Sequence, residues 1–145
     1  MSFEVNKYQR ASNNMFARDG SIHYWTSKVL TVSRGETMRK AARIMEEKNI
    51  SSLVIAESER AVGIITERDI ARAVAEDKDP DKATVEDIMT RDPVTVRITE
   101  EPSTVTKIML GHGFRHMPVV DENEKLVGIV SLRDLLKPRN IESVK

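Results

Sequence analysis

An α/β architecture is expected for this chain: two β-α-β-β-α units packed pseudo-symmetrically on each other. Three observations lead there. The sequence repeats itself at a spacing of 64 to 65 residues, each copy holds a stretch of helical apolar periodicity, and each then carries two short apolar runs around a polar loop. Thr31-Val32 returns as Thr95-Val96, Glu36 as Glu100 and Ile44-Met45 as Ile108-Met109, all 64 residues apart. Val-Gly-Ile-Ile-Thr-Glu-Arg-Asp (62–69) returns as Val-Gly-Ile-Val-Ser-Leu-Arg-Asp (127–134), 65 residues apart. The slip of one residue falls in the polar stretches 57–60 and 121–125, where a hairpin loop tolerates an insertion.

Taken in order, residues 29–32 and 94–96 read as short strands. Asp92-Pro93 introduces the second, because proline biases its predecessor away from helix. Met38, Ala41, Ala42 and Met45 recur at helical spacing, as do Val105, Ile108 and Met109. Thr99 is the expected N-cap of that later helix, Glu100 and Glu101 favour its positive end, and Gly111 and Gly113 stop it. Residues 53–56 with 62–65, and 117–120 with 126–130, form a hairpin in each copy. Thr66 and Ser131 then open a second helix, with Ile70, Ala71 and Val74 as its apolar side in one copy and Leu135 and Leu136 in the other. The expected boundaries are an N-terminal extension 1–20, a first repeat 21–79, a linker 80–84 and a second repeat 85–145. Residues 85–89 lead into the second copy, and Tyr24-Trp25-Thr26 is their counterpart in the first. Met38, Met45, Met109 and Met117 fall at core spacing. In the extension, Phe3, Val5, Tyr8, Met15 and Phe16 are apolar enough to pack on the module or on a second subunit.

Composition narrows the function. At 145 residues the chain suits one domain or two small units sharing a core, and a unit of half that length buries only about 60% of its unfolded surface alone. Lys+Arg and Asp+Glu both number 23, so nucleic-acid binding is not expected to be the main task. The absence of cysteine excludes disulfides, thiolate metal sites and a cysteine nucleophile. The three histidines, His23, His112 and His116, lack the spacing of a zinc enzyme. His112, between two glycines, reads as an exposed loop residue, and no nucleophile or carboxylate constellation accompanies His116. No stretch has the length of a membrane span and the N-terminus lacks an apolar signal core, so a cytoplasmic location is expected.

The two Gly-to-Asp segments carry the functional information. Each is expected to place a glycine where a strand ends and a helix begins, permitting close approach of another backbone or a ligand. The hydroxyls of Thr66 and Ser131 then lie beside helix-start amides that attract phosphate. Asp69 and Asp134, one turn on, suit vicinal ribose hydroxyls, and Arg68 and Arg133 add positive charge for phosphate. Thr-x-x-Asp and Ser-x-x-Asp are equally capping-box starts, and for either segment alone capping is the preferred reading. Glycine, hydroxyl, arginine and acid at matching places in two otherwise diverged copies shift the balance toward a ligand.

With Val-Glu-Asp-Ile-Met-Thr-Arg-Asp-Pro-Val-Thr-Val (85–96) and Phe-Arg-His-Met-Pro-Val-Val-Asp (114–121), these segments resemble the cystathionine β-synthase (CBS) domain family over residues 26–137. The resemblance implies two CBS repeats in a Bateman module, a disk-shaped homodimer, and a non-enzymatic regulatory sensor. The sensor would bind an adenine nucleotide (AMP, ADP or ATP) between the repeats and signal to an effector protein. It implies no catalytic residue, no metal and no cofactor beyond that regulatory ligand. By position, Asp69 and Asp134 match the ribose-binding acids, with Thr66 and Ser131 beside ribose or phosphate. Val29, Leu30, Pro93 and Val94 match strand residues lining adenine, with backbone groups near Ile50-Ser51 and Phe114-Arg115. Arg115 and His116 match a pair that reaches phosphate in nucleotide-sensing relatives. The first copy has Ser51-Ser52 there and Val54 where the second has Pro118, so two unequal clefts are expected. The competing readings are a constitutive scaffold dimer with vestigial clefts and a sensor of S-adenosylmethionine or NAD. A nucleotide-hydrolysing enzyme lacks a P-loop or a metal-binding carboxylate cluster.

Overall fold

The computed structural model describes residues 24–136, so the N-terminal extension, with the apolar residues singled out in it, lies outside the described residues. The first copy runs β1 (Thr31–Val32), α1 (Met38–Lys48), β2 (Ser52–Glu57), β3 (Arg60–Thr66) and α2 (Glu67–Ala75). A short α3 (Val85–Ile88) and β4 (Thr90–Arg91) follow. The second copy runs β5 (Val96–Arg97), α4 (Pro102–His112), β6 (His116–Val120), β7 (Leu126–Ser131) and α5 (Leu132–Leu135). This is the expected α/β duplication of β-α-β-β-α units.

The copies share their pairing register. β1 lies parallel to β2 with Thr31 opposite Val54, and β5 lies parallel to β6 with Val96 opposite Val119. The antiparallel hairpins β2–β3 and β6–β7 each carry an irregularity at the same place, between Ile55 and Ala56 and between Val119 and Val120. The one-residue slip sits just beyond, in the turns. In the first turn Ser58 and Glu59 both take positive φ, the tight-hairpin geometry. In the second, the Asp121 carboxylate accepts from the amides of Asn123 (2.8 Å) and Lys125 (3.0 Å), holding a longer loop.

The helices depart from the expected details at three points. α1 buries Met38, Ala41, Ile44 and Met45, so Ile44 rather than Ala42 completes its inner face. The N-cap of α4 is Glu101, not Thr99, because Pro102 occupies the first helical position and keeps its predecessor extended. Gly113 ends that helix at φ 74°. On α2 the buried residue is Ala73, while Ala71 is exposed and Val74 stays 58% exposed. That helix meets the fold through Ile70 and Ala73, facing α1, α3 and β3. The four core-spaced methionines are all buried.

The lead-in segments are exchanged between the copies. β4 extends the first sheet antiparallel to β3, and Val85 of α3 is fully buried in the first core with Val32, Ile44, Leu53 and Ile65. Reciprocally, Thr26 bridges Ile129 of β7, and Tyr24 and Trp25 join Val105, Met109, Met117 and Val130 in the second core. The Tyr24 hydroxyl donates to the carbonyl of Glu100 at 2.8 Å. A third cluster, Val29, Val54 and Leu126, joins the two sheets. Even the polar linker is docked, for the carbonyls of Pro80 and Ala83 accept from the first amides of α1, those of Arg39 (3.0 Å) and Met38 (2.8 Å).

The exchange explains the two motif glycines, and corrects their expected place. Gly63 and Gly128 lie inside β3 and β7, opposite Ile55 and Val119, not at the strand ends. A Cβ on Gly63 would lie 2.2 Å from Sδ of Met89, and one on Gly128 2.4 Å from the Trp25 ring and 2.5 Å from the Thr26 carbonyl oxygen. The close approach that these glycines permit is by the other copy's lead-in segment.

Candidate functional site

The Thr66–Asp69 turn is built by local hydrogen bonds. The Asp69 carboxylate accepts from the Thr66 amide (2.9 Å) and hydroxyl (3.1 Å), and the Asp69 amide donates back to the Thr66 hydroxyl (3.3 Å). Ser131 and Asp134 repeat this box at 3.3 and 3.0 Å. Both acids therefore cap their helices, as the motif alone suggested. Asp69 does more than cap. Its second oxygen faces Arg72 at 3.4 Å, and the residue lines a cleft.

That cleft, about 780 Å³, opens between the copies. The end of β3 and the first turns of α2 contribute Ile64, Thr66, Glu67, Arg68, Asp69 and Arg72. The segment before β5 contributes Thr90, Asp92, Pro93 and Val94, and the turn from α4 to β6 contributes residues 112–116. The acid of the first motif thus shares its cleft with Pro93, Val94 and Phe114 of the second copy. His112 and Phe114 flank the Gly113 cap, and their rings stack at 5.0 Å with 6° between planes.

Ser51 and His116 meet where the two copies touch, Ser51 Oγ lying 2.9 Å from His116 Nε2. Matching bonds flank them: the Glu67 amide donates to the Ser51 carbonyl (3.1 Å) and the Leu132 amide to the Arg115 carbonyl (2.8 Å). Burial holds the His116 imidazole below the ordinary histidine range, Arg115 pushes the same way, and Asp134 and Glu67 oppose. The neutral ring is therefore favoured at the junction.

Of the residues picked from the sequence, the cleft collects Ser51, Thr66, Arg68, Asp69, Pro93, Val94, Phe114, Arg115 and His116. It does not collect the others. Val29 is buried between the sheets, Leu30 and Ile50 pack against the first core, and Ser52 is buried at the start of β2. Ser131 and Asp134 cap α5 beside His116, and Arg133 is exposed on that helix. The sequence reading missed Glu67, Arg72, Thr90, Asp92 and His112. Arg72 lies one turn beyond Asp69, Glu67 and Asp92 adjoin picked residues, and His112 lies two residues before Phe114, so helical spacing and adjacency were the available signals. His112, read as a loop residue, is the last residue of α4 and is exposed on the cleft wall.

Comparison with known proteins fits this arrangement. The CBS domain model matches residues 26–76 and 85–139. An uncharacterized 17.7 kDa protein of Acidianus ambivalens is 47% identical over 113 residues, covering 77% of this chain and 68% of that protein. The chain spans smaller shares, 57% and 22%, of two further relatives. A CBS domain protein of Pyrobaculum aerophilum, solved in complex with AMP, superposes with a TM-score of 0.73 at 31% identity, over 80% of this chain and 89% of that one. A CBS domain pair in complex with 5′-methylthioadenosine and S-adenosyl-L-methionine gives 0.70 at 34% identity, over 77% and 92%.

Proposed function

The chain belongs to the CBS domain family as a tandem pair, and from that premise we propose that it is a non-enzymatic regulatory module binding an adenine nucleotide between its repeats. One observation carries the reading. A roomy cleft joins a capping-box acid of one copy to strand, aromatic and cationic residues of the other. In it, Asp69 and Thr66 face the ribose, Pro93 and Val94 pack on the base, and Arg68, Arg115 and His116 take the phosphate end. Because the walls come from both copies, a bound nucleotide favours one relative arrangement of them. It thereby alters a surface that an effector protein reads. The module works as a homodimer, for which the exposed apolar Val74 and Leu136 supply contact surface.

A thermal-shift series with AMP, ADP, ATP, S-adenosylmethionine and NAD tests this. A ligand at a hundred times its Kd stabilises by about 2.7 kcal/mol, roughly several degrees for this size. Sedimentation with and without ligand tests the dimer. No shift with any compound favours the second reading, a constitutive scaffold. That reading draws support from the fact that both acids already serve their own helices.

A further inference from the structure

The charges along the cleft cancel. Arg68, Arg72 and Arg115 stand against Glu67, Asp69 and Asp92, all six on the cleft wall. Asp69 is engaged with Arg72 and with the helix cap, which leaves Glu67 and Asp92 to oppose Arg68 and Arg115. For a site expected to attract phosphate, two such acids require a reason.

Glu67 in the first turn of α2 favours the positive helix end, but the fold requires neither acid. Glu67 and Leu132 are the first residues of their helices, and their amides bond to equivalent carbonyls, those of Ser51 and Arg115. An apolar side chain therefore serves at this position in the other copy. Asp92 precedes Pro93-Val94 as Lys28 precedes Val29-Leu30, a reversal of charge at matching positions. Asp92 takes φ 46°, a conformation that asparagine adopts as readily. Neither acid is required by the repeat, and both line the cleft.

We propose that Glu67 and Asp92 form a charge filter that restricts the Asp69 cleft to adenosyl ligands carrying no more than one phosphate. This rests on the adenosine reading of the cleft given above. A monophosphate carries about −1.5 to −2 charge, which Arg68 and Arg115 match. Each further phosphate adds negative charge to a cleft that Glu67 and Asp92 also line, so the added repulsion offsets the added contact. Neutral adenosine is indifferent to the filter.

The test is calorimetric titration of adenosine, AMP, ADP and ATP in magnesium-free buffer at physiological salt. Wild type is compared with the Glu67→Gln/Asp92→Asn double variant and with each single variant. Any second site in the module enters every measurement alike, so the change on substitution reports on the Asp69 cleft. In the double variant ATP gains on the order of tenfold relative to AMP, the single variants gain part of this, and adenosine stays within about twofold. An ATP-to-AMP ratio that the double variant leaves unchanged, in protein with a wild-type melting curve, overturns the filter while leaving the cleft assignment standing. Failure of wild type to bind adenosine or AMP at all overturns the cleft assignment itself, and the filter with it.

Discussion

Gly63 and Gly128 hold one position of the repeat, yet their coverings differ. Over Gly63 lies the flexible thioether of Met89, while over Gly128 lie the rigid indole of Trp25 and the backbone oxygen of Thr26. The second core also takes two aromatic residues from its exchanged segment where the first takes Val85. A duplicated motif thus has unequal tolerance in its two places, because tolerance is set by the segment that arrives from the other copy.

The largest expected effect sharpens that contrast. Trp25→Ala empties the second core and should cost about 3–5 kcal/mol, against about 2 kcal/mol for Val85→Ala in the first, both read from urea unfolding. Equal losses would mean that the exchanged segments contribute alike. Next, Gly128→Ala should destabilise by about 3 kcal/mol and Gly63→Ala by about 1 kcal/mol, since a thioether swings aside and a backbone carbonyl does not. A reversed order would break the account of these glycines.

At the motif acids the comparison turns to ligand. Asp69→Ala should lose about 1 kcal/mol of stability with the cap and also abolish nucleotide binding at the cleft, whereas Asp69→Asn, which keeps an acceptor oxygen, should recover most of the stability but not the binding. Asp134→Ala should show a similar stability loss while leaving the Asp69 cleft occupied. Titration and melting of the same three samples check both parts.

The smallest effect concerns His116, whose counterpart in the first copy is Ser52. Its folded pKa lies below the unfolded value, so in the window between them the unfolded chain binds more protons. Its contribution is therefore complete above about pH 6.5 and is lost as pH falls toward the folded pKa. His116→Asn should flatten that part of a stability–pH curve, and an unchanged slope would remove His116 as its source.

Much of the molecule was legible beforehand. Spacing alone reveals the duplication, the hairpins and the slip in the turns; Thr66-x-x-Asp69 and Ser131-x-x-Asp134 read as caps or as ligand-binding turns, the balance leaning to a ligand, and both form capping boxes. In the helices the departures from expectation are of two kinds. Thr99 has the hydroxyl that propensity favours at a cap, but the backbone restriction that Pro102 imposes on Glu101 sets the start of α4. Ala71 and Val74 stand on the apolar side of α2 yet are exposed, because periodicity identifies such a side without showing whether anything covers it. For the site, Thr66, Arg68, Asp69, Pro93 and Val94 are legible from their motifs, whereas Glu67 and Asp92, although inside the same segments, and His112, outside them, show their place only on the cleft wall.

Periodicity, caps and turn chemistry act over a few residues along the chain, so the sequence by itself determined the two copies, their elements and the acids at their helix starts. Only the tertiary structure decided that each lead-in segment packs in the other copy, and that Asp69 shares its cleft with residues 92–94 and 112–116. Those contacts join parts of the chain that follow no common period. They are selected by which surfaces can be buried together once both copies are in place.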